Sequence, residues 1–255
     1  MLDHLILFII SLVANALSAL AGGGAGLLQL PALLFLGLTF STALATHKIA
    51  SVALGVGATL RHSKEEPLNF RFALFILTFG LPGVVLGAVW VVNLSDHTAK
   101  LALGLITLGV GIYSWSQREL GQTESKQHRD TIGMTIGGVG IFAIGFLNGS
   151  LTSGSGLFVT LLLVRWFGLD YKRAVTYTLI LVGFFWNGLG AITLAFRAPV
   201  QWDWLPALLL GSFMGGYIGA HLSIIKGNRL IKIMFQTMAI IVGGKLILDS
   251  AFLLF

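Results

Sequence analysis

Two short stretches of this chain combine glycine with small polar residues in a pattern suited to binding an anion. Gly22-Gly23-Gly24-Ala25-Gly26 is followed by Gln29 and Pro31, and Asn148-Gly149-Ser150-Leu151-Thr152-Ser153-Gly154-Ser155-Gly156 repeats the theme later. Glycine lets a ligand reach the backbone closely. A helix that restarts after each stretch, at about Leu27 and Leu157, would aim unpaired N–H groups and about half a positive charge at that ligand. Asn148, Ser150, Thr152, Ser153 and Ser155 add side-chain donors, and Gln29 is their counterpart after the first stretch. Neither stretch contains a carboxylate, so a small anion is favoured over a cation. The competing reading is a tight helix–helix contact, but three consecutive glycines cost a helix about 1 kcal/mol each, which favours a break.

Around these stretches the chain is overwhelmingly apolar. Of 255 residues 56% are hydrophobic and 10% charged, with a mean hydropathy of +0.90. An ordinary soluble domain is about 25% charged, so a soluble enzyme, a nucleic-acid binder and a disordered chain are excluded. Apolar runs approach the roughly 20 residues a spanning helix needs, and the chain reads as an all-α polytopic membrane protein. The net charge of +6 and the pI near 9.8 fit basic loops facing an anionic leaflet, with membrane lipids as partners. With no cysteine, disulfides and Cys-ligated metal are excluded; no metal or other cofactor is expected. Met1-Leu2-Asp3 lacks the basic start of a signal peptide, so the first run is assigned to the membrane domain.

The runs are His4–Leu36 (broken at the glycines), Ser41–Leu60, Phe70–Val92 and Thr98–Trp115. After the polar segment Ser116–Asp130 come Ile132–Phe167 (broken again), Arg173–Phe196, Trp202–Ile225 and Leu230–Phe255. Four runs, a linker and four runs indicate a duplication. Gly24-Ala25-Gly26-Leu27 matches Gly154-Ser155-Gly156-Leu157 at an offset of 130, and Gly83 and Gly87-Ala88 match Gly215 and Gly219-Ala220 at 132. Loop charge sets the relative orientation of the halves. If both faced the same way, basic residues would split seven against seven. If the second is inverted, Arg61, Lys64, Arg71, Arg118, Lys126, Arg129, Arg165, Lys172, Arg173, Lys226, Arg229 and Lys232 share one side, leaving Lys100 and Arg197 on the other. That asymmetry is what membrane insertion produces. The expected fold is two inverted repeats (residues 1–116 and 131–255, joined by a cytoplasmic linker at 117–130), each a Gly-broken helical hairpin plus three transmembrane helices. Both termini are then periplasmic. Non-helical backbone at membrane depth must be buried in protein or line a wet cavity, and two breaks meeting from opposite sides place a polar site near the midplane.

His47 and Lys48 lie about seven residues into an apolar run, where ionisable groups are functional candidates unless they snorkel out. Thr46 and Tyr177 are matched polar residues, and Asn187 and Trp186 are candidates for the same cavity, Trp186 equally for packing. Lys245 reads as snorkelled or paired with Asp249. The full candidate binding set is Gly23, Gly24, Ala25, Gly26, Gln29, Thr46, His47, Lys48, Asn148, Ser150, Thr152, Ser153, Gly154, Ser155, Gly156, Tyr177 and Asn187. Gly80, Gly83 and Gly87, like Gly211, Gly215 and Gly219, are spaced for close helix packing. Asn69–Phe72 and Gln201–Trp204 read as interface anchors.

The early glycine stretch followed by Pro31, its echo at Gly149–Gly156 and the duplicated layout resemble the TauE/SafE family of sulfite exporters over the whole chain. The resemblance implies a bacterial inner-membrane transporter that exports sulfite, sulfoacetate or a related sulfur-containing anion, not an enzyme. Two other readings share these residues. A passive anion channel would use the same site. Ser153-Gly154-Ser155-Gly156 with His221 resembles the Ser/His dyad of rhomboid proteases, but Ser153 stands where that pattern has Gly. His47, or secondarily Lys48, is the candidate carrier of a coupling proton, because imidazole titrates near neutral pH.

Overall fold

The computed structural model describes residues 2–23, 25–65, 67–90, 96–117, 120–152 and 154–252, and among them there are helices and no strands. The first half contains α1 (Leu2–Ala21), α2 (Gln29–Phe35), α3 (Phe40–His62), α4 (Phe70–Trp90) and α5 (Asp96–Ser116). The second contains α6 (Thr131–Ser150), α7 (Ser155–Arg165), α8 (Tyr171–Tyr177), a π-helical segment Thr178–Trp186, α9 (Asn187–Ala195) and α10 (Leu205–Phe252). Thr39, Asp130 and Asp170 cap α3, α6 and α8, each accepting a backbone N–H three residues on. Gly22 and Gly23 end α1 at positive φ, and Gly227 (φ 74°) divides α10 in two. Among the described residues six helical stretches are long and apolar enough to cross a membrane. The protein is an all-helical polytopic membrane protein.

The helical restarts differ in detail from the sequence expectation. α7 begins at Ser155, two residues before Leu157, because Gly154 adopts the left-handed conformation (φ 76°) and is itself the cap. In the first hairpin a 3₁₀ turn at Ala25–Leu27 intervenes and α2 begins only at Gln29. Pro31 thereby falls in the first turn of α2, where no helix hydrogen bond is lost.

Packing follows the glycines. A Cβ on Gly215 or Gly219 would fall on the carbonyl oxygens of Leu12 and Ala16, and one on Gly83 or Gly87 on those of Phe142 and Phe146. So the first part of α10 lies against α1, and α4 against α6, by equivalent contacts at the repeat offsets. Residue numbers rise together in both pairs, so both are parallel. α3 runs antiparallel to the α8–α9 helix, with Gly55 against Gly183, Lys48 bonded to Asn187 and His62 to Thr176. α5 is antiparallel to the last part of α10, where Gly111 abuts Ala239 and Gln236 Nε2 donates to the Ser114 carbonyl. The third-run glycines are therefore packing elements. Gly87→Val is expected to destabilise the protein by about 1–3 kcal/mol, the usual cost of overpacking, read as a lower melting temperature in detergent. An unchanged value would mean α4 and α6 are not closely packed.

These directions place each hairpin. The α6–α7 hairpin opens at the end that holds the linker and the loop between α3 and α4. There Ser125 N and Gln127 N donate to the carbonyls of Gly168 and Phe167, Asn69 N donates to the Tyr177 hydroxyl, and Lys172 lies 3.5 Å from Glu65. A hydrogen bond from Arg61 holds the Glu65 carboxyl below its ordinary pKa. The α1–α2 hairpin opens at the opposite end, where His4 Nε2 meets the Asp203 carbonyl and Gln201 N donates to Thr46 Oγ1. Of the twelve basic residues grouped by sequence, eleven collect at the first end; Arg118 lies outside the described residues.

The polarity of the molecule is inverted relative to a soluble protein. Leu210 and Val139 are about 61% exposed, while Asn15, Gln29 and Lys48 are fully buried. Phe70 and Trp202 are exposed at opposite ends, as interface anchors require, whereas Phe72 is a core residue and Asn69 accepts its backbone N–H at the start of α4.

Candidate functional site

Positive φ at Gly22 and Gly23 turns the chain out of α1, and the second break is turned by Thr152 (φ 60°) and Gly154. A β-branched residue in the left-handed region is strained, and such strain gathers at functional sites. The two breaks touch: a Cβ on Gly23 would lie 2.5 Å from Gly156 Cα. Thr160 Oγ1 ties them together by donating to the Gly22 carbonyl at 2.7 Å, and it also pairs with Thr178 Oγ1.

Between the breaks lies a cavity of about 30 Å³. Gly23, Ala25 and Gly26 face it from the first break, and Asn148, Thr152, Ser155 and Gly156 from the second. His47 and Ser51 line it from α3, and Thr178 and Asn187 from the helix opposite. The π-helical segment forms much of that wall, a geometry common at functional sites. A void of this size holds about one water or two.

Lys48 does not itself line the cavity but is joined to it through two lining residues, Asn148 and Asn187. Its ammonium donates to Asn148 Oδ1 at 2.7 Å and to Asn187 Oδ1 at 3.0 Å. Asn148 in turn donates to Ser155 Oγ at 2.9 Å. Lys48 is fully buried, and no salt bridge to it exists among the described residues. A buried ammonium held only by neutral amides is uncompensated. It does not snorkel.

A second polar cluster adjoins the first. His47 Nδ1 lies 3.0 Å from Gln29 Oε1, and its Nε2 is 3.1 Å from Ser51 Oγ. Gln29 Nε2 donates to Ser11 Oγ, and Asn15 Nδ2 reaches the Ser11 carbonyl and Ser212 Oγ. Ser51 Oγ also lies 2.8 Å from the His47 carbonyl. Its single proton can serve either the ring or the carbonyl, an arrangement that can switch with the protonation of the imidazole.

Three candidates from the sequence lie elsewhere. Thr46 fastens α3 to the loop before α10. The Ser150 hydroxyl is satisfied by the Phe146 carbonyl one turn back, the ordinary fate of a helical serine. Tyr177 points to the basic end and accepts from Asn69 N. Gly154 acts as the cap of α7, and Gly24 and Ser153 lie outside the described residues. Trp186 packs against Gly80 and is a core residue, and Lys245 pairs with Asp249 at 2.7 Å. Ser155 and His221 form no dyad: Ser155 donates to the Thr152 carbonyl, and His221 accepts from Arg61 at the basic end.

Sequence reading missed Ser11, Asn15, Ser18, Ser51 and Thr178. Ser11, Asn15 and Ser18 share a helical spacing of four and three, a polar stripe inside an apolar run. That stripe was visible in the sequence. No group of His, Asp and Glu among the described residues could hold a metal ion.

Comparison with known proteins agrees with this architecture. The chain is 27% identical over 248 residues to a probable membrane transporter protein of Haemophilus influenzae, covering 96% of this chain and 94% of that protein. It is 26% identical to the probable membrane transporter protein YfcA of Escherichia coli K12 (96% and 90% covered). Against YunE of Bacillus subtilis, also a probable membrane transporter protein, identity is 23% with 98% and 100% covered. The family model described as sulfite exporter TauE/SafE matches residues 7–246, and the chain belongs to that family.

Proposed function

We propose that this protein is a secondary transporter that exports a small sulfur-containing oxyanion (sulfite, sulfoacetate or a similar organosulfonate) across the inner membrane. The observation that carries the reading is Lys48, a fully buried ammonium whose acceptors among the described residues are the amide oxygens of Asn148 and Asn187, both of which line the cavity. An anion in the cavity supplies the missing countercharge, and Ser155, Asn148 and the first N–H groups of α7 supply neutral donors. The test is uptake by proteoliposomes of sulfite, thiosulfate, sulfate, sulfoacetate and chloride. Saturable flux of the sulfur oxyanions with little chloride supports the reading; chloride flux as fast as sulfite, without saturation, replaces it with a passive channel.

In this reading the halves are inverted repeats, and the end bearing the basic residues is cytoplasmic. The reciprocal glycine packing and the opposite openings of the two hairpins support it. The native chain has no cysteine, so single cysteines report topology cleanly. An impermeant thiol reagent added outside spheroplasts is expected to label His4→Cys and Arg197→Cys but not Ser125→Cys. Labelling of Ser125→Cys would overturn the assignment.

His47 is the proposed proton carrier. Export of an anion from a negative-inside cell already gains about 2.3 kcal/mol per charge per 100 mV, so coupling adds to an existing drive. Anion flux in liposomes is expected to rise with a pH gradient for the native protein and to lose that stimulation in His47→Gln. Equal stimulation of both removes His47 from the mechanism, and stimulation of neither indicates uniport.

A further inference from the structure

A second cavity, of about 350 Å³, opens at the basic end, between the segment before α4, the linker and the start of α8. It shares no lining residue with the central site and is of small-molecule size. Arg71, Lys126, Arg129 and Arg173 line it, and Glu124 is the carboxylate among its lining residues. The Arg129 guanidinium sits 3.9 Å above the Phe72 ring and 5.1 Å from that of Phe167. Covering one face of a guanidinium leaves its edges free to donate in pairs to an oxyanion. No salt bridge to Arg71, Lys126 or Arg129 exists among the described residues. Basic loops alone would explain positive charge at this end; they do not require four cations to converge on one concavity around a ring-stacked arginine.

The cavity is also placed to feed the centre. Tyr177 lines it, and the next residue, Thr178, lines the central cavity. Adjacent helical residues are 1.5 Å apart along the axis and point about 100° apart, so one helix presents neighbouring side chains to both chambers. We propose that this cavity is a loading vestibule, binding one oxyanion of the transported class before it passes to Lys48. The proposal rests on the exporter reading above, because only an exporter loads from the basic end. A cluster of one sign in a concave site concentrates counter-charged substrate at the mouth.

The test is binding stoichiometry for the full chain in neutral detergent, with radiolabelled sulfite handled anaerobically and inorganic phosphate in parallel. The native protein is expected to bind two sulfites. Lys48→Met is expected to bind one, Lys126→Gln/Arg129→Gln one, and the triple variant none. Lys48→Gln replaces Lys48→Met if the latter is not monodisperse. One site in the native protein, lost in Lys48→Met, overturns the vestibule and leaves the central site standing. One site kept in Lys48→Met but lost in Lys126→Gln/Arg129→Gln keeps the vestibule and removes the central reading. No sites in the native protein overturn both. In a further arm, phosphatidylglycerol is titrated and followed by native mass spectrometry. A lipid that remains bound to the native protein, displaces one sulfite and is lost in Lys126→Gln/Arg129→Gln identifies the occupant as a lipid headgroup and overturns the vestibule.

Discussion

Lys48→Met is expected to weaken oxyanion binding by about 10- to 150-fold, the loss of a charge-assisted hydrogen bond worth about 1.5–3 kcal/mol, and to leave the fold intact. Replacing a buried ion by an apolar side chain of similar length is often neutral or stabilising, because the desolvation penalty disappears with the charge. Asn148 and Asn187 each lose a donor, but Asn148 Nδ2 lies 3.4 Å from Asn187 Oδ1 and can close that gap. The complementary change has the opposite signature. Asn148→Leu keeps the charge and removes one of its two acceptors, a hydrogen bond to a charged group worth about 1.5–3 kcal/mol. Melting curves should therefore rank Lys48→Met above Asn148→Leu. Sulfite at 100 times the dissociation constant of the central site should add about 2.7 kcal/mol of stability through that site, a contribution largely lost in Lys48→Met. If Lys48→Met binds and transports sulfite normally, the anion is held elsewhere.

Gly23→Ala is expected to reduce transport at least about tenfold. It adds backbone strain of about 1–3 kcal/mol at φ 120°, and its Cβ would lie 2.5 Å from Gly156 Cα and 2.7 Å from the Gly156 carbonyl carbon. The opposing atoms are backbone, so the two breaks must separate. Gly37→Ala isolates the steric part. Gly37 also has a positive φ (94°), but nothing lies within 4 Å of its added Cβ. It should transport at close to the native rate while carrying the same kind of strain. Equal losses in both variants would show that the contact between the breaks is not what transport needs.

Membrane class and the two glycine breaks could be read from the residues alone because each is a local or periodic property. Apolar run length answers directly to bilayer thickness, and consecutive glycines oppose a helix wherever they stand. The grouping of twelve basic residues also anticipated the end at which eleven of them collect. The depth of His47 and Lys48 in their run was visible too, since it is a count along one helix. What Lys48 touches was not: Asn148 and Asn187 lie 100 and 139 residues away. Only the close approach of α3 to the α8–α9 helix, made possible where Gly55 meets Gly183, brings those amides onto the ammonium. The same holds for Thr46 and Tyr177, which sequence reading grouped with the site as matched polar residues, and for Ser150, which it took as a donor of the second break. Helix rotation decides which way each points, and that rotation is set by packing against neighbours. The linker arginine Arg129 looked like a topogenic charge and nothing more. Its position over Phe72, at the mouth of a cavity, arises from folding the linker back onto α4 and α8. Sequence thus determined where the helices break and how deep His47 and Lys48 lie, because those are one-dimensional quantities. Tertiary structure alone decided which of them share a cavity, because that depends on contacts between the two halves that no local rule encodes.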